Sequence, residues 1–471
     1  MMMNMKKILS FAAMILIAFL SGCAKFTDIT PKGQNLLNRA SDLDLLMNVN
    51  FSGSAYDHLR QTLLINDNYL LAENVPNVIS GVQSINKILL TYDQTGDRAG
   101  LTATDSRYEG LYATISKVAN IVITMGDQAS GDVQLIKQLK AEAYILRAFL
   151  HYRLVNIYAK AYDPATAATD GGIPYVNDIV FDKVNDKKTV KEVYDNLLAD
   201  LDAGISSGAL PNQPKNSMRI GKGFAYGVKA QVLLSMRNYP AALEAANEAL
   251  KYNSTLEDHR PLLAINPISA RLLNRVGISA ADNVFYAFSN NFDPSILTAS
   301  PEVLTNYEAG NIIKDRTETY NYFYGQLYVG LTNSPAWLAI NYQGNSAGMT
   351  TSDLILMKAE CLIRTNKINE GMDEVNRIRI RRIDPANYVA LSATTEEQAM
   401  GYLQKTSRIE FIFTIRNFIN IKRWNREGKY QQTITRTVNG KTYTLAPDSK
   451  LYVFPFPQSA TQFNETLTQN Y

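Results

Sequence analysis

The chain is poor in cysteine, histidine and tryptophan: two, three and two in 471 residues. Of the cysteines, Cys361 falls in an apolar helical pattern and reads as a small buried hydrophobe, so there is no disulfide framework to staple the fold. The histidines His58, His151 and His259 share no metal-ligand spacing. His-Glu-x-x-His, Gly-x-Ser-x-Gly, a phosphate-binding Walker loop and a Cys-x-x-Cys pair are all missing. Gly221-Lys222-Gly223 is followed by Phe-Ala-Tyr-Gly, which fails the dinucleotide spacing and suits the opening of a helix. No catalytic residue, metal ligand or cofactor is therefore assigned. Glycoside hydrolysis needs only two carboxylates, and counting residues leaves that one enzyme class open. Charge of one sign is lacking too, with 47 basic against 44 acidic residues. Such a balance gives no electrostatic case for nucleic acid or for an anionic membrane face.

Long apolar runs are also scarce. One stands near the start, from Ile8 to Leu20 behind Lys6 and Lys7. It falls short of the ~20 residues a spanning helix needs and fits the apolar core of a secretory signal. Leu20-Ser21-Gly22-Cys23 then reads as a lipobox. Its small residues let the chain enter a peptidase cleft, and the Cys23 thiol is positioned for alkylation by diacylglycerol. The plainer reading is a secretory signal followed by a chance cysteine. Two or more acyl chains would anchor stably, at ~0.8 kcal/mol per buried CH₂. We assign 1–22 to a lipoprotein signal peptide, 23–40 to a lipid-anchored polar tether and 41–471 to one large domain.

What the domain has in quantity is helical periodicity. Ser41 can cap a first helix carrying Leu43, Leu46 and Met47. Tyr108, Leu111, Tyr112, Ile115, Val118, Ala119 and Val122 mark one helix face, closed by Gly126. The strongest helix lies within 132–160, apolar on most sides and so packed between neighbours; His151 there reads as a helix histidine with a local partner. Thr189 and Glu192 form a capping box for a helix lined by Val193, Leu197 and Leu201. Paired helices follow at about 221–250, the second opening at Pro240, and again at 352–381. With small residues at the crossings they resemble tetratricopeptide helix pairs. The predicted fold is mainly α: a tetratricopeptide-like scaffold with helix pairs near 108–160, 189–250 and 352–381. Long loop-rich insertions interrupt it. The charged residues Arg408, Glu410, Arg416 and Arg423 of a late helix are expected to satisfy carboxylates and carbonyls inside the fold, and Trp424 to sit in the scaffold.

The insertion at 252–351 has a different composition, rich in Asn, Ser, Gly, Tyr and Pro. Rings among amides make good pockets: the ring face offers apolar area to a sugar or a peptide side chain, and the amides fix orientation. For most of these rings, packing of the insertion's own core is the plainer reading. Asn66-Asp67-Asn68-Tyr69, directly after an apolar run, suits a loop that meets ligand or an ordinary turn.

The order of these pieces resembles the SusD/RagB family of Bacteroidetes outer-membrane lipoproteins. The motifs cover nearly the whole chain: Ala-Glu-Ala-Tyr-x-Leu-Arg-Ala at the start of 141–158, Val-Tyr-x-x-Leu-x-x-Asp-Leu at 193–201, the hairpin at 225–250, Asp-Leu-x-Leu-x-x-Ala-Glu at 353–360, Arg-x-Glu-Phe to Lys-Arg-Trp at 408–424, and Pro-Phe-Pro to Gln-Asn-Tyr at 455–471. The Pro-Gly usual before the last tyrosine is missing. The resemblance implies a non-catalytic lid on a TonB-dependent transporter of the SusC/RagA type. It would be held by lipid at Cys23 on the outer face of the outer membrane, and would capture an oligosaccharide or, as in the RagB branch, a peptide. A helical-repeat adaptor without a small ligand is the third reading. The ligand surface implied is built from the segment ahead of the first scaffold helices, with Asp67, Tyr69, Tyr92, Asp97, Arg107 and Tyr108, and from the central insertion, with Tyr320, Tyr322, Tyr324 and Trp337.

Overall fold

The computed structural model describes residues 37–51, 65, 68–70, 75–180, 183–264, 278–287, 297–299, 301–315, 345–412 and 414–471. Arg39–Tyr471 form one compact unit, and Met1–Asn38 are a separate one. Cys23 lies outside the described residues. The helices begin with α1 (Ala40–Leu46), α2 (Val75–Ser80), α3 (Ile85–Leu90), α4 (Ser106–Thr114) and α5 (Asn120–Met125). Longer ones follow: α6 (Val133–Tyr158), α7 (Val190–Ser206), α8 (Lys222–Ser235) and α9 (Tyr239–Leu250). A short α10 (Pro301–Leu304) precedes α11 (Thr351–Arg364), α12 (Ile368–Arg379), α13 (Glu396–Glu410) and α14 (Ile415–Trp424). α6 packs on α7, α7 on α8, α8 on α9, α9 on α11 and α11 on α12, so the helices stack in chain order as in a helical-repeat scaffold. α13 closes against α11 and α12.

Local signals explain most boundaries. Asp132 caps α6 by accepting from the Gln134 and Leu135 amides. The capping box at Thr189 and Glu192 is formed, with a second at Thr350 and Asp353 heading α11. From Ala141 onward α6 is buried at every residue but Tyr144, because helices cover it on several sides. Two expectations are corrected. The helix through 108–122 is broken by one π-turn at Ile115–Ala119, and Gly126 ends it in right-handed geometry at φ −56°. The first helix starts at Ala40 without a side-chain cap, so Ser41 is inside it.

The strands are short and paired two by two, all antiparallel: β1 (Asn68–Leu70) with β5 (Leu297–Ala299), β2 (Gly171–Pro174) with β3 (Lys187–Thr189), β4 (Asn283–Phe285) with β6 (Met349–Thr350), and β7 (Ile434–Val438) with β8 (Lys441–Leu445). Cys361 is free and fully buried. The late charged helix behaves as its sequence predicts. Arg423 makes a two-pronged ion pair with Glu360 (2.6 and 2.7 Å), and the Trp424 indole donates to the same carboxylate at 3.1 Å. The closing Gln-Asn-Tyr has a structural job. Gln469 exchanges hydrogen bonds with the Phe456 backbone, Asn470 donates to the Tyr158 and Gly172 carbonyls, and the Tyr471 ring lies 4.0 Å under Arg98.

Candidate ligand-binding site

The central insertion leaves the scaffold through β4 and returns through β6, and these two stems are locked together. Asn345, 6% exposed, is the hub. Its amide nitrogen donates to Asn283 Oδ1 (3.0 Å), Phe285 O and Met349 O (2.9 Å), and its oxygen accepts from the Ala287 amide at 3.2 Å. Gly348 lies so close to the outgoing stem that a Cβ there would stand 2.1 Å from Phe285 O. Two scaffold arginines grip the returning stem. From α14, Arg416 donates to Asn345 O (2.9 Å) and Gly348 O (3.1 Å), with Asp353 at 3.0 Å. From α6, Arg153 donates to Ala347 O at 2.9 Å; burial, and then the nearby Arg416 charge, bring its pKa down to about 10. Phe285 is stacked on Phe224 at 4.2 Å and edge-on to Phe51 at 5.0 Å.

Beside this neck lies a cavity of about 120 Å³. Its walls come from widely separated stretches: Glu257 and His259, Asp282, the insertion at 306–313, the returning stem at 345–352, residues 378–383 at the end of α12, and α13 with the turn into α14. Gly310 lets the insertion turn here, at φ +75°, and a Cβ would meet Asn387 Cβ at 2.6 Å. Arg379 is spent on Glu308 (2.8 Å from Nε), Asn376 and the Val389 carbonyl. Arg382 chelates Glu410 (2.9 and 2.7 Å) and donates to Glu257 O, while Ser352 donates to the same Glu410. His259 Nε2 stands 3.0 Å from Glu257. Asp282 is different: its carboxylate has no hydrogen bond or ion pair to a side chain among the described residues. Burial, then the Glu257 charge, raise its pKa to about 6 against the opposing pull of Arg382. A more open cleft of about 520 Å³, lined by Glu302, Gln404, Arg408, Gln432 and Thr435 among others, shares Asn306 and Lys405 with the cavity. No three His, Cys, Asp or Glu side chains among the described residues are placed to hold a metal ion.

Comparison with known proteins bears on this architecture. Residues 36–234 match a family model described as starch-binding and associating with the outer membrane, and residues 283–471 match the model of the SusD family. The chain belongs to the SusD/RagB family. Solved SusD-like structures share the fold. A SusD superfamily protein of Bacteroides thetaiotaomicron is 16% identical, with TM-score 0.68 over 92% of this chain and 100% of its own. A SusD-like carbohydrate-binding protein of Bacteroides vulgatus is 14% identical, with TM-score 0.64 over 91% and 97%. Surface glycan-binding protein A of Bacteroides uniformis is 14% identical, with TM-score 0.65 over 91% and 99%. A search of curated proteins finds no match. No helix among the described residues is long and apolar enough to cross a membrane.

In this SusD/RagB chain the residues nominated from sequence divide sharply. β1 pairs with β5 at Asn68↔Ala299, Tyr69↔Thr298 and Leu70↔Leu297, so the backbones of the early segment and the insertion meet. Asp97 is exposed and accepts the Gly100 amide at 2.9 Å. Asp67, Tyr320, Tyr322, Tyr324 and Trp337 lie outside the described residues. Tyr92, Arg107 and Tyr108 are corrected from ligand contacts to parts of the core. The Tyr92 hydroxyl donates to Ile65 O at 2.9 Å and its ring underlies Arg436. Arg107 is clamped on Asp105 at 2.8 and 2.6 Å, and Tyr158 donates to the same carboxylate. Tyr108 packs on Tyr112, Tyr158 and Phe456. Of the insertion's rings, Tyr286 and Tyr307 are buried, as the packing reading expects. The cavity around Asp282 was missed, because its walls come from distant segments with no local spacing. Its one sequence signal was Glu410, an acid isolated among the basic and apolar residues of 408–424.

Proposed function

We propose that this protein is a cell-surface lipoprotein, anchored at Cys23, that captures an oligosaccharide and delivers it to a TonB-dependent outer-membrane transporter. The observations that carry the reading are the family matches over 36–234 and 283–471, the second of which runs through most of the insertion, and the pairing of the insertion's strand β5 with β1 of the early segment. That pairing joins the two regions from which the ligand surface is expected. Asp67, Tyr69, Asp97, Tyr320, Tyr322, Tyr324 and Trp337 are the proposed contacts, with ring faces stacking on sugar and acids and hydroxyls fixing orientation. Relatives of the same fold bear the names of carbohydrate- and glycan-binding proteins.

A peptide ligand is the second reading, and one observation favours it: Trp424 is 1% exposed inside the scaffold, which leaves Trp337 alone as a tryptophan for sugar stacking. Calorimetry of the purified protein in detergent, against glycan oligomers and against peptide digests, separates the two. A glycan response weakened at least tenfold by Trp337→Ala, about 1.4 kcal/mol, supports the leading reading. Peptide binding without glycan binding moves the protein to the second. Silence in both, together with failure to co-purify with an outer-membrane barrel, would overturn both and leave a helical adaptor.

A further inference from the structure

We propose that the open edge of β7 accepts an extended acidic peptide as an added strand, with Lys405 meeting the peptide's carboxylate. The inference deepens the second, peptide reading and rests on it for the source of the occupant. It starts from the direction in which the hairpin's backbone points. Asn439 and Gly440, at φ 49° and 74°, make the two-residue turn between Val438 and Lys441. In an antiparallel pair, alternate residues turn amide and carbonyl away from the partner strand. The Thr437 amide does so, donating to Glu302 Oε1 at 3.1 Å. Thr435 has the same parity, and Thr433 continues the row just ahead of the strand. No strand among the described residues pairs with β7 on that side. The edge opens instead into the cleft of about 520 Å³, which Thr433, Ile434 and Thr435 line together with Glu302 and α13. Glu302 stands where the carbonyl of a paired strand would stand, so it closes one end of the row and leaves the rest to a ligand. Its Oε2 is buried and accepts no hydrogen bond among the described residues, which offers an incoming N–H a further acceptor.

The chemistry of the edge chooses the occupant. A strand edge repeats a donor and an acceptor every ~6.8 Å, two residues of rise. A peptide backbone carries the same repeat, and the hydroxyls of a sugar ring do not. Unpaired edges of this kind are templates for a further strand. The hairpin holds its edge in place, because Ile434, Arg436 and Val438 are buried on the inner face while the alternate threonines face out. Charge then sets the sign. The charged side chains lining the cleft are Lys405 and Arg408 against Glu302 alone. Arg408 donates to Gln432 Oε1 at 3.2 Å. Lys405 is exposed and makes no ion pair among the described residues, so a carboxylate on the peptide supplies its counter-charge.

The test is calorimetry and hydrogen exchange read by mass spectrometry, on the full protein in detergent, with acetyl-Val-Thr-Val-Thr-Glu as the probe. Saturating peptide should slow exchange at residues 433–437 at least tenfold. Methylating alternate backbone nitrogens separates strand pairing from side-chain contact. Of two twins, one methylated at both threonines and the other at both valines, one should bind at least tenfold more weakly and the other within threefold of the parent. Ending the peptide in glutamine amide removes its carboxylates, and should weaken binding at least threefold in the unaltered protein but not in Lys405→Gln. Thr435→Pro removes an outward N–H that an edge strand can spare and should lose the peptide, whereas Thr435→Val should keep it. No peptide binding, equal binding of the two twins, or unchanged exchange at 433–437 overturns the proposal, and these readings in the unaltered protein decide even where a variant misfolds. Peptide binding that slows exchange elsewhere but not at 433–437 would sink this site and keep the peptide reading. Protection at 433–437 in a protein that also binds glycan oligomers would keep this site and leave the nutrient with the leading reading.

Discussion

His151 is fully buried between the Arg147 carbonyl, 2.9 Å from Nδ1, and the Val176 amide, which donates to Nε2 at 3.0 Å, with Tyr175 stacked on its ring. That environment holds the neutral imidazole, with the proton on Nδ1. Burial brings its pKa down to about 3 from 6.5. In that window the unfolded chain binds a proton that the folded one refuses, so stability is complete above pH 6.5 and is lost as the pH falls toward 3. By pH 5 the loss is about 2 kcal/mol, and a urea series at pH 7 and pH 5 should show it, with His151→Gln flattening the dependence. Asp282 has the opposite sign. Its pKa is raised to about 6 from 3.8, so the folded chain gains stability as the pH falls from 6 toward 3.8, and the ionised form is a burden at neutral pH. Asp282→Asn should stabilise the protein by about 3 kcal/mol at pH 7.5 and hardly at all at pH 4; a destabilised variant at pH 7.5 would contradict a carboxylate that burial burdens. Sequence reasoning placed His151 correctly because a histidine deep in an apolar helix has one plain role. It misplaced Tyr92, Arg107 and Tyr108 because a polar group beside an aromatic looks the same whether it faces ligand or core. Only the partners, such as Asp105 for Arg107, decide the matter.

At the scale of elements, the scaffold is held by buried ion pairs that fasten one helix to another. Glu360 on α11 and Arg423 on α14 are 2% and 4% exposed at the side chain. Removing one partner leaves a charge in the interior without compensation, which costs about 3–5 kcal/mol, whereas replacing both with apolar residues is often tolerated. Arg423→Met should therefore drop the denaturation midpoint severely, and Arg423→Met with Glu360→Met should recover most of it. A double variant as unstable as the single one would show that the pair contributes more than it costs to desolvate. The positive φ and close Asn387 contact at Gly310 give a second prediction. Gly310→Ala pays about 1–2 kcal/mol for left-handed backbone and must also displace Asn387. Limited proteolysis should then cut the 306–313 segment faster while α6 to α9 stay protected. Element starts were legible where a side chain makes the cap, as at Thr189 and Glu192 or at Asp132. The π-turn at Ile115–Ala119 was not, because a one-residue slip in a helical ladder leaves the apolar spacing nearly unchanged.

At the scale of the molecule, a chain-order stack of helices would be expected to open from its ends, since each repeat touches only its neighbours. Here the last residues return to the first long helix. Lys422 of α14 donates to the Asn156 and Ala159 carbonyls at the end of α6, and Arg98 donates to Val453 O at 2.6 Å and Lys450 O at 3.0 Å. Gln469 and Asn470 add four more hydrogen bonds to Phe456, Tyr158 and Gly172. The family's closing motif is thus a clasp between the two ends of the scaffold, a role that its position at a chain end conceals in the sequence. The helical scaffold was readable because each helix carries its own period. The proposed ligand face was nominated only as two regions, since a surface assembled from segments over 200 residues apart, such as β1 and β5, leaves no spacing to detect. Deleting Gln469–Tyr471 should cost about 4 kcal/mol at ~1 kcal/mol per hydrogen bond lost. It should also turn one calorimetric transition into two, as the stretch around α6 keeps the Lys422 bonds to α14 but loses those from Asn470. A single transition merely shifted downward would mean that packing of α9 on α11 alone keeps the stack cooperative, and that the clasp adds stability without adding cooperativity.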